Sequence, residues 1–146
     1  MARVHVALPE TLPFVTRLTV RVTDLNYGGH VGNDTVLAFC QQARAEFFAA
    51  LGYRELDVEG LGIIVADAAI QYRAEAFAGD HLEIAVGAHD HNRRGCDLAY
   101  RLHRPADDTE IARAKTGIVF FDYRERRIAH APEAFRERLA QRFHTP

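Results

Sequence analysis

From Arg17 to Thr23 the chain alternates, with Leu18, Val20 and Val22 set against Arg17, Thr19, Arg21 and Thr23. A period of two predicts a half-buried strand. The glycine-rich stretch from Tyr27 to Gly32 cannot continue that strand and opens a turn. Asn33 or Asp34 then offers a side-chain oxygen to cap a helix. From Thr35 to Leu51 the apolar residues Val36, Cys40, Ala43, Phe47 and Leu51 recur at helical spacing, and Leu37, Phe39 and Phe48 widen the stripe. Such a helix is expected to be covered over most of its circumference and to stop at Gly52.

Beyond the helix the period returns to two. Ile63 to Tyr72 and Asp80 to Asp90 are predicted strands, the second with Leu82, Ile84, Val86 and Ala88 on one face. Cys96, Leu98, Tyr100 and Leu102 mark a third strand, and Ile111 to Tyr123 a fourth. Gly79-Asp80, Asn92 to Gly95 and Asp107-Asp108 lie where turns are needed. Pro132 to Arg142 carries a short helical pattern with proline suited to its first turn. Short turns between successive strands imply antiparallel pairing, and one apolar helix with such a sheet is an α+β layer architecture. Periodicity alone fits an αβ-plait or a cystatin-like fold almost as well as a sheet wrapped around the helix.

Composition narrows the class. The 146 residues, numbered 1–146, are expected to form a single domain able to bury about 68–70% of its unfolded surface. Apolar residues make up 48% and charged residues 26%, a globular balance. A formal charge of −2 gives no general attraction to nucleic acid or to an anionic membrane. No apolar run has the length of a membrane span, and the opening residues lack the core of a signal peptide, so a cytoplasmic location is expected. Cys40 and Cys96 have no metal-binding spacing and are read as packing residues. His89-Asp90-His91 has the look of a metal pair, but no third ligand stands at a recognisable spacing, so no metal is expected.

Between the first strand and the helix the chain reads Asn26-x-x-Gly29-His30-Val31-x-Asn33, and Ala43-Arg44 falls late in the helix. Further on, Ile70-Gln71-Tyr72 is followed by Phe77-Ala78-Gly79-Asp80. These segments resemble the hotdog-fold acyl-CoA thioesterases of the 4-hydroxybenzoyl-CoA and long-chain acyl-CoA types, over most of the chain from Val20 to Asp122. The resemblance implies a hotdog fold: a five-stranded antiparallel sheet wrapped around one long central helix, with a short C-terminal helix. It implies hydrolysis of an acyl-CoA or acyl-carrier thioester to free acid and thiol at a site shared across a homodimer, in a dimer or tetramer. No cofactor is implied, coenzyme A being part of the substrate. One residue departs from the pattern, since the family usually carries an aspartate where this chain has Asn26. An amide takes up no proton at working pH and is no nucleophile.

The chemistry expected at the loop follows from these positions. Backbone N–H groups at the helix start, with the helix dipole, can receive a developing oxyanion, and Gly29 lets a thioester approach. Gly29, Val31, Tyr27 and Gln71 are the candidate oxyanion and substrate-binding residues. Asn26 can orient water or polarise the thioester, or simply turn the chain by bonding its own backbone. His30 can donate to the thioester oxygen or act as base. Asp67, a charge within the apolar run from Ile63 to Ile70, is the candidate for the missing carboxylate, across the dimer, or else half of a structural ion pair. Asp24 and Asp34 are reserve bases. Arg93, Arg94 and Gly95 form a basic turn able to meet the phosphates of coenzyme A. Tyr27, Phe47, Phe48 and Tyr72 are candidates to line an acyl tunnel. Two rival readings are a non-catalytic acyl-thioester binding domain, which Asn26 favours directly, and a hydratase-like lyase. For the lyase, Asp24-Leu25-Asn26 lacks the following proline and His30 falls one residue late. A further alternative is an assembly role with a vestigial pocket.

Overall fold

The computed structural model describes residues 2–144. Its elements run β1 (Phe14–Thr19), α1 (Asn33–Ala50), β2 (Gly62–Tyr72), β3 (His81–His89), β4 (Gly95–Arg104), β5 (Thr109–Asp122), β6 (Arg127–Ile128) and α2 (Glu133–Phe143). The sheet is antiparallel in the order β1-β3-β4-β5-β2, and the two-residue β6 adds to β5. This is the hotdog arrangement expected from the sequence, with α1 held inside the curl of the sheet.

The alternation in β3 and β4 decides which side meets the helix. Leu82, Ile84 and Val86 of β3 and Leu98, Tyr100 and Leu102 of β4 are buried, and their register pairs Ile84 with Leu102 and Val86 with Tyr100. From α1, Val36, Phe39, Cys40, Ala43, Phe47 and Phe48 fill the space beneath them. Phe47 stacks on Phe143, and Phe48 stacks on Phe135, whose ring also meets the edge of Phe120. α2 therefore seals one end of the core with aromatic contacts, each worth about 0.5–1.5 kcal/mol beyond its buried area.

Four expectations need correction. β1 ends at Thr19, and Val22 is exposed rather than paired. Asp24 takes the Arg21 N–H at 2.8 Å and two contacts from the Arg21 guanidinium, which folds 22–24 into a 3-10 turn. Neither Asn33 nor Asp34 caps α1; the N-cap is Gly32, which offers no side chain. α1 is covered on one face only, since Leu37, Ala38, Gln41, Gln42, Ala45 and Ala49 are exposed. Phe47 and Phe48 line no tunnel, because both are wholly buried in the aromatic cluster under α2.

Beneath the sheet a guanidinium is enclosed. The Arg44 side chain is 7% exposed, and its Nε donates to Glu55 Oε1 at 2.7 Å. The Glu55 carbonyl accepts from Ile63 N at 2.9 Å, so the pair ties α1 to the start of β2. Breaking a buried pair strands the remaining charge, so Arg44→Leu should lower the unfolding free energy by about 3 kcal/mol. Adding Glu55→Leu should restore much of that loss, as read from urea denaturation of the single and double variants.

Candidate active site

The loop into α1 is a small hairpin. Leu25 bridges Val31, Asn26 N donates to the His30 carbonyl at 2.9 Å, and Gly29 N donates to the Asn26 carbonyl at 3.1 Å. Gly29 adopts φ +81°, a conformation that only glycine enters without strain. Asn26 Oδ1 accepts from Gly28 N at 2.9 Å, an Asx turn that leaves the amide NH₂ as its remaining donor. Gly28 is hemmed in as well: a Cβ there would stand 3.2 Å from both Asn26 Oδ1 and His30 Nε2. The absent side chain lets Asn26 and His30 share one side of the turn.

Three hydrogen bonds mount this hairpin. Val31 N donates to the Ala76 carbonyl at 2.9 Å, Gly32 N donates to the Asp24 carbonyl at 3.3 Å, and the His30 ring meets the Val31 carbonyl through Nδ1 at 3.2 Å. That last contact places the proton on Nδ1 and turns Nε2 outward. Asn33 and Asp34 begin α1 without a capping side chain, so their N–H groups are free at the positive end of the helix dipole.

These residues border a cleft of about 350 Å³. It is lined by Asn26, His30 and Val31 of the hairpin, Asn33 and Val36 of α1, the segment from Tyr72 through Ala76 where the chain leaves β2, and Ile111 of β5. Tyr72 leans across it and donates its hydroxyl to the Asn33 carbonyl at 2.8 Å. The structure thus brings together Asn26, His30, Val31 and Tyr72. It also adds Arg73 and Glu75, which the sequence reading did not single out. Their signal lay in position alone: both follow directly on Tyr72, where the chain leaves β2.

Other candidates lie elsewhere. Asp67 is 63% exposed rather than buried, because β2 is an edge strand with an open face. Its Oδ1 accepts from Lys115 Nζ at 2.7 Å and from Gly117 N at 3.1 Å, and the Lys115 hydrogen bond holds its carboxyl below the ordinary aspartate range. Gln71 shares that outer face and accepts from Val6 N at 3.1 Å, fastening the N-terminal segment to the sheet. Neither lines the cleft. Tyr27 projects fully into solvent from the hairpin tip.

Arg93 and Arg94 are exposed in the turn between β3 and β4, and among the described residues neither forms an ion pair. Asn92 Oδ1 shapes that turn by accepting from Arg94 N and Gly95 N. Gly95 has a packing reason to be glycine, since a Cβ would collide with the Ile118 carbonyl oxygen. Gly95 pairs with Val119, whereas the cleft meets β5 at Ile111. Eight residues of strand put the basic turn about 26 Å from the cleft of its own chain.

Cys40 and Cys96 are fully buried, and burial pushes each thiol up to about 12, so neither is a thiolate at neutral pH. Of His89-Asp90-His91, only His89 and Asp90 share a group of possible ligands, and its third member comes from across the sheet in place of His91. Asp97 pairs with His89, and the ligand atoms of the three residues lie within 4.8 Å of one another. Lys115 Nζ, 3.5 Å from Asp97 Oδ1, already sets a cation against this group. Among the described residues no helix is long and apolar enough to cross a membrane.

The profile of the thioesterase-like superfamily matches residues 20–139. Comparison with curated proteins gives no match. Among solved structures, a 1,4-dihydroxy-2-naphthoyl-CoA thioesterase from Synechocystis is similar with a TM-score of 0.80 at 20% identity, covering 91% of this chain and 98% of its own. A probable thioesterase from Escherichia coli gives 0.72 at 22% identity, covering 88% and 98%. A Staphylococcus aureus protein in complex with CoA gives 0.80 at 16% identity, covering 90% and 84%.

The hairpin's footing has a pH signature. Burial alone would raise the Asp24 carboxyl, but the side-chain and backbone hydrogen bonds from Arg21 outweigh it and hold the group below its ordinary value. A depressed folded pKa adds stability above the unfolded value of about 3.9, and that stability is lost as pH falls through the folded value. Asp24→Asn should therefore melt below the parent at pH 7, and the gap should close in acid below pH ~3, as read by thermal unfolding at both pH values.

Proposed function

The chain belongs to the thioesterase-like superfamily, hotdog-fold hydrolases of thioesters, and from that premise we propose that it cleaves an acyl-CoA or acyl-carrier thioester to free acid and thiol, at a site shared by two copies. The observation that carries this reading is the cleft beside the uncapped start of α1, with Asn26 and His30 on its wall. A thioester carbonyl set there would direct its oxygen at the free N–H groups of Asn33 and Asp34. Donors fixed before the reaction stabilise the tetrahedral intermediate without reorganising, the largest single contribution in most acyl transfers. The Asn26 amide NH₂ can reinforce them.

The shared site is supported by what one chain lacks. β2 has a free edge, with Val65 and Tyr72 exposed along it. An unpaired strand edge is a template for a second strand, and a two-fold axis through it makes the pairing antiparallel. Such pairing runs the Gly62 end of one copy beside the Tyr72 end of the other. The Arg93-Arg94 turn of the second copy then approaches the first copy's cleft, where two guanidinium groups can grip the phosphates of coenzyme A. The same axis would carry Asp67 of a second copy toward the interface, which keeps it a candidate carboxylate.

Asn26 supports a second reading, a domain that binds an acyl thioester without cutting it. Thiol release from short, long and aromatic acyl-CoAs separates the two. Release above the uncatalysed rate, selective for one acyl class, is expected, whereas tight binding without release would favour the binding domain. Arg93→Ala with Arg94→Ala should raise KM for the CoA substrate roughly 10-fold or more and change kcat little, the pattern of lost ground-state contacts. Sedimentation should give a dimer or larger assembly, and a fully active monomer would sink the shared site.

A further inference from the structure

We propose that Glu75 is the general base of this hydrolysis, working with His30 to supply the proton transfer that Asn26 cannot. The inference rests on the thioesterase reading and assigns the acid–base pair within it. Among the described residues Glu75 is the one carboxylate that lines the cleft, and its Oε1 stands 3.8 Å from His30 Nε2. Of the other candidate acids, Asp34 in the first turn of α1 does not line the cleft, and the remaining two are already engaged. Both oxygens of Asp24 are held by Arg21, and Asp67 is held by Lys115 and Gly117 on the outer face of the sheet. Among the described residues the Glu75 side chain has no partner besides His30, and it is 64% exposed, with room to turn toward a bound thioester.

Its backbone is fixed in contrast. The Glu75 carbonyl accepts from Arg104 Nη1 at 3.0 Å, and Arg104 is itself anchored on Asp80 and Asp107. The next residue, Ala76, is buried and takes the Val31 N–H, so the segment that carries the carboxylate is bonded to the hairpin that carries His30. A mobile side chain on a rigid mount suits a group that must reach water and return.

The reaction then balances within the cleft. A water oxygen attacks the thioester carbon as Glu75 takes one of its protons, and the carbonyl electron pair moves to oxygen beneath the Asn33 and Asp34 N–H groups. Collapse of that oxyanion breaks the C–S bond, and the bonding pair leaves on sulfur. His30 Nε2 takes the proton from Glu75 and delivers it to the thiolate. The products are free acid and thiol, and both side chains regain their starting states. His30 meets the Val31 carbonyl through Nδ1, which leaves Nε2 as the atom that carries the proton.

The test is thiol release by purified Glu75→Gln, Glu75→Asp, His30→Asn and Asp67→Asn proteins on the best acyl-CoA of the parent. Glu75→Gln should lower kcat roughly 100-fold or more with little change in KM, the range of a lost general base. It should also lose the fall in rate toward low pH that a carboxylate base imposes. Glu75→Asp, one methylene shorter, should recover part of the rate and that pH dependence, an outcome that a purely structural role would not give. His30→Asn should be slow as well. A Glu75→Gln protein that keeps the parental rate and pH profile would overturn the assignment while leaving the thioesterase reading intact. A slow Asp67→Asn beside a normal Glu75→Gln would move the base to the dimer edge. No release by the parent from any acyl-CoA or acyl-carrier thioester would overturn both.

Discussion

A guanidinium enclosed beneath a sheet constrains everything around it. Arg44 lies on the face of α1 that the sheet covers, and a charge there is tolerable only while a partner stays within reach. Glu55 supplies that partner from the connection between α1 and β2. The position of the helix in the curl and the point where the edge strand begins are therefore set by one interaction. The hydroxyls of Tyr100 and Thr116, 2.7 Å apart in the same interior, add a second polar link between β4 and β5. Burial pushes the Tyr100 phenol up to about 12, so it stays neutral and able to donate. With helix and sheet locked at this depth, the other end of α1 can be left uncapped and facing a cleft.

The fold was legible because its signals are local and repeated. Alternation in β3 and β4 names the helix-facing side residue by residue, and the spacing of Val36, Cys40, Ala43 and Phe47 names the buried face of α1. Failures came where a partner outside the periodic pattern decides. Nothing in Val20-Arg21-Val22 reveals that the Asp24 carboxylate will fold the chain before Val22 can pair. An apolar run such as Ile63 to Ile70 reads as interior, yet it forms an edge strand whose outer face is open in a single chain. Asp67 was conspicuous for that reason, and the same edge position gives it Lys115 as a neighbour. Phe47 and Phe48 were legible as core but not as partners of α2, since stacking on Phe143 and Phe135 spans most of the chain.

The cleft was half legible. Asn26, His30 and Val31 stand out because glycines and a strand-to-helix junction frame them. Arg73 and Glu75 sit in a connection without periodicity, and only the hydrogen bond from Val31 to Ala76 brings that connection opposite the hairpin. The split between the cleft and the Arg93-Arg94 turn is likewise a matter of strand register. Both segments could be read as binding elements from their residue types, but the length of β5 between them appears only once the strands are paired.

The Asx turn at Asn26 has a consequence for how such a loop can change over time. A carboxylate at that position would have to build the turn and handle protons with the same two oxygens, so few substitutions could improve one task without harming the other. An amide keeps its shape whatever the acidity of the surroundings and leaves proton handling to be met elsewhere. The architecture of the loop and the reactivity of the cleft become separately mutable, and a lineage with this asparagine can try new acids around a hairpin that does not move.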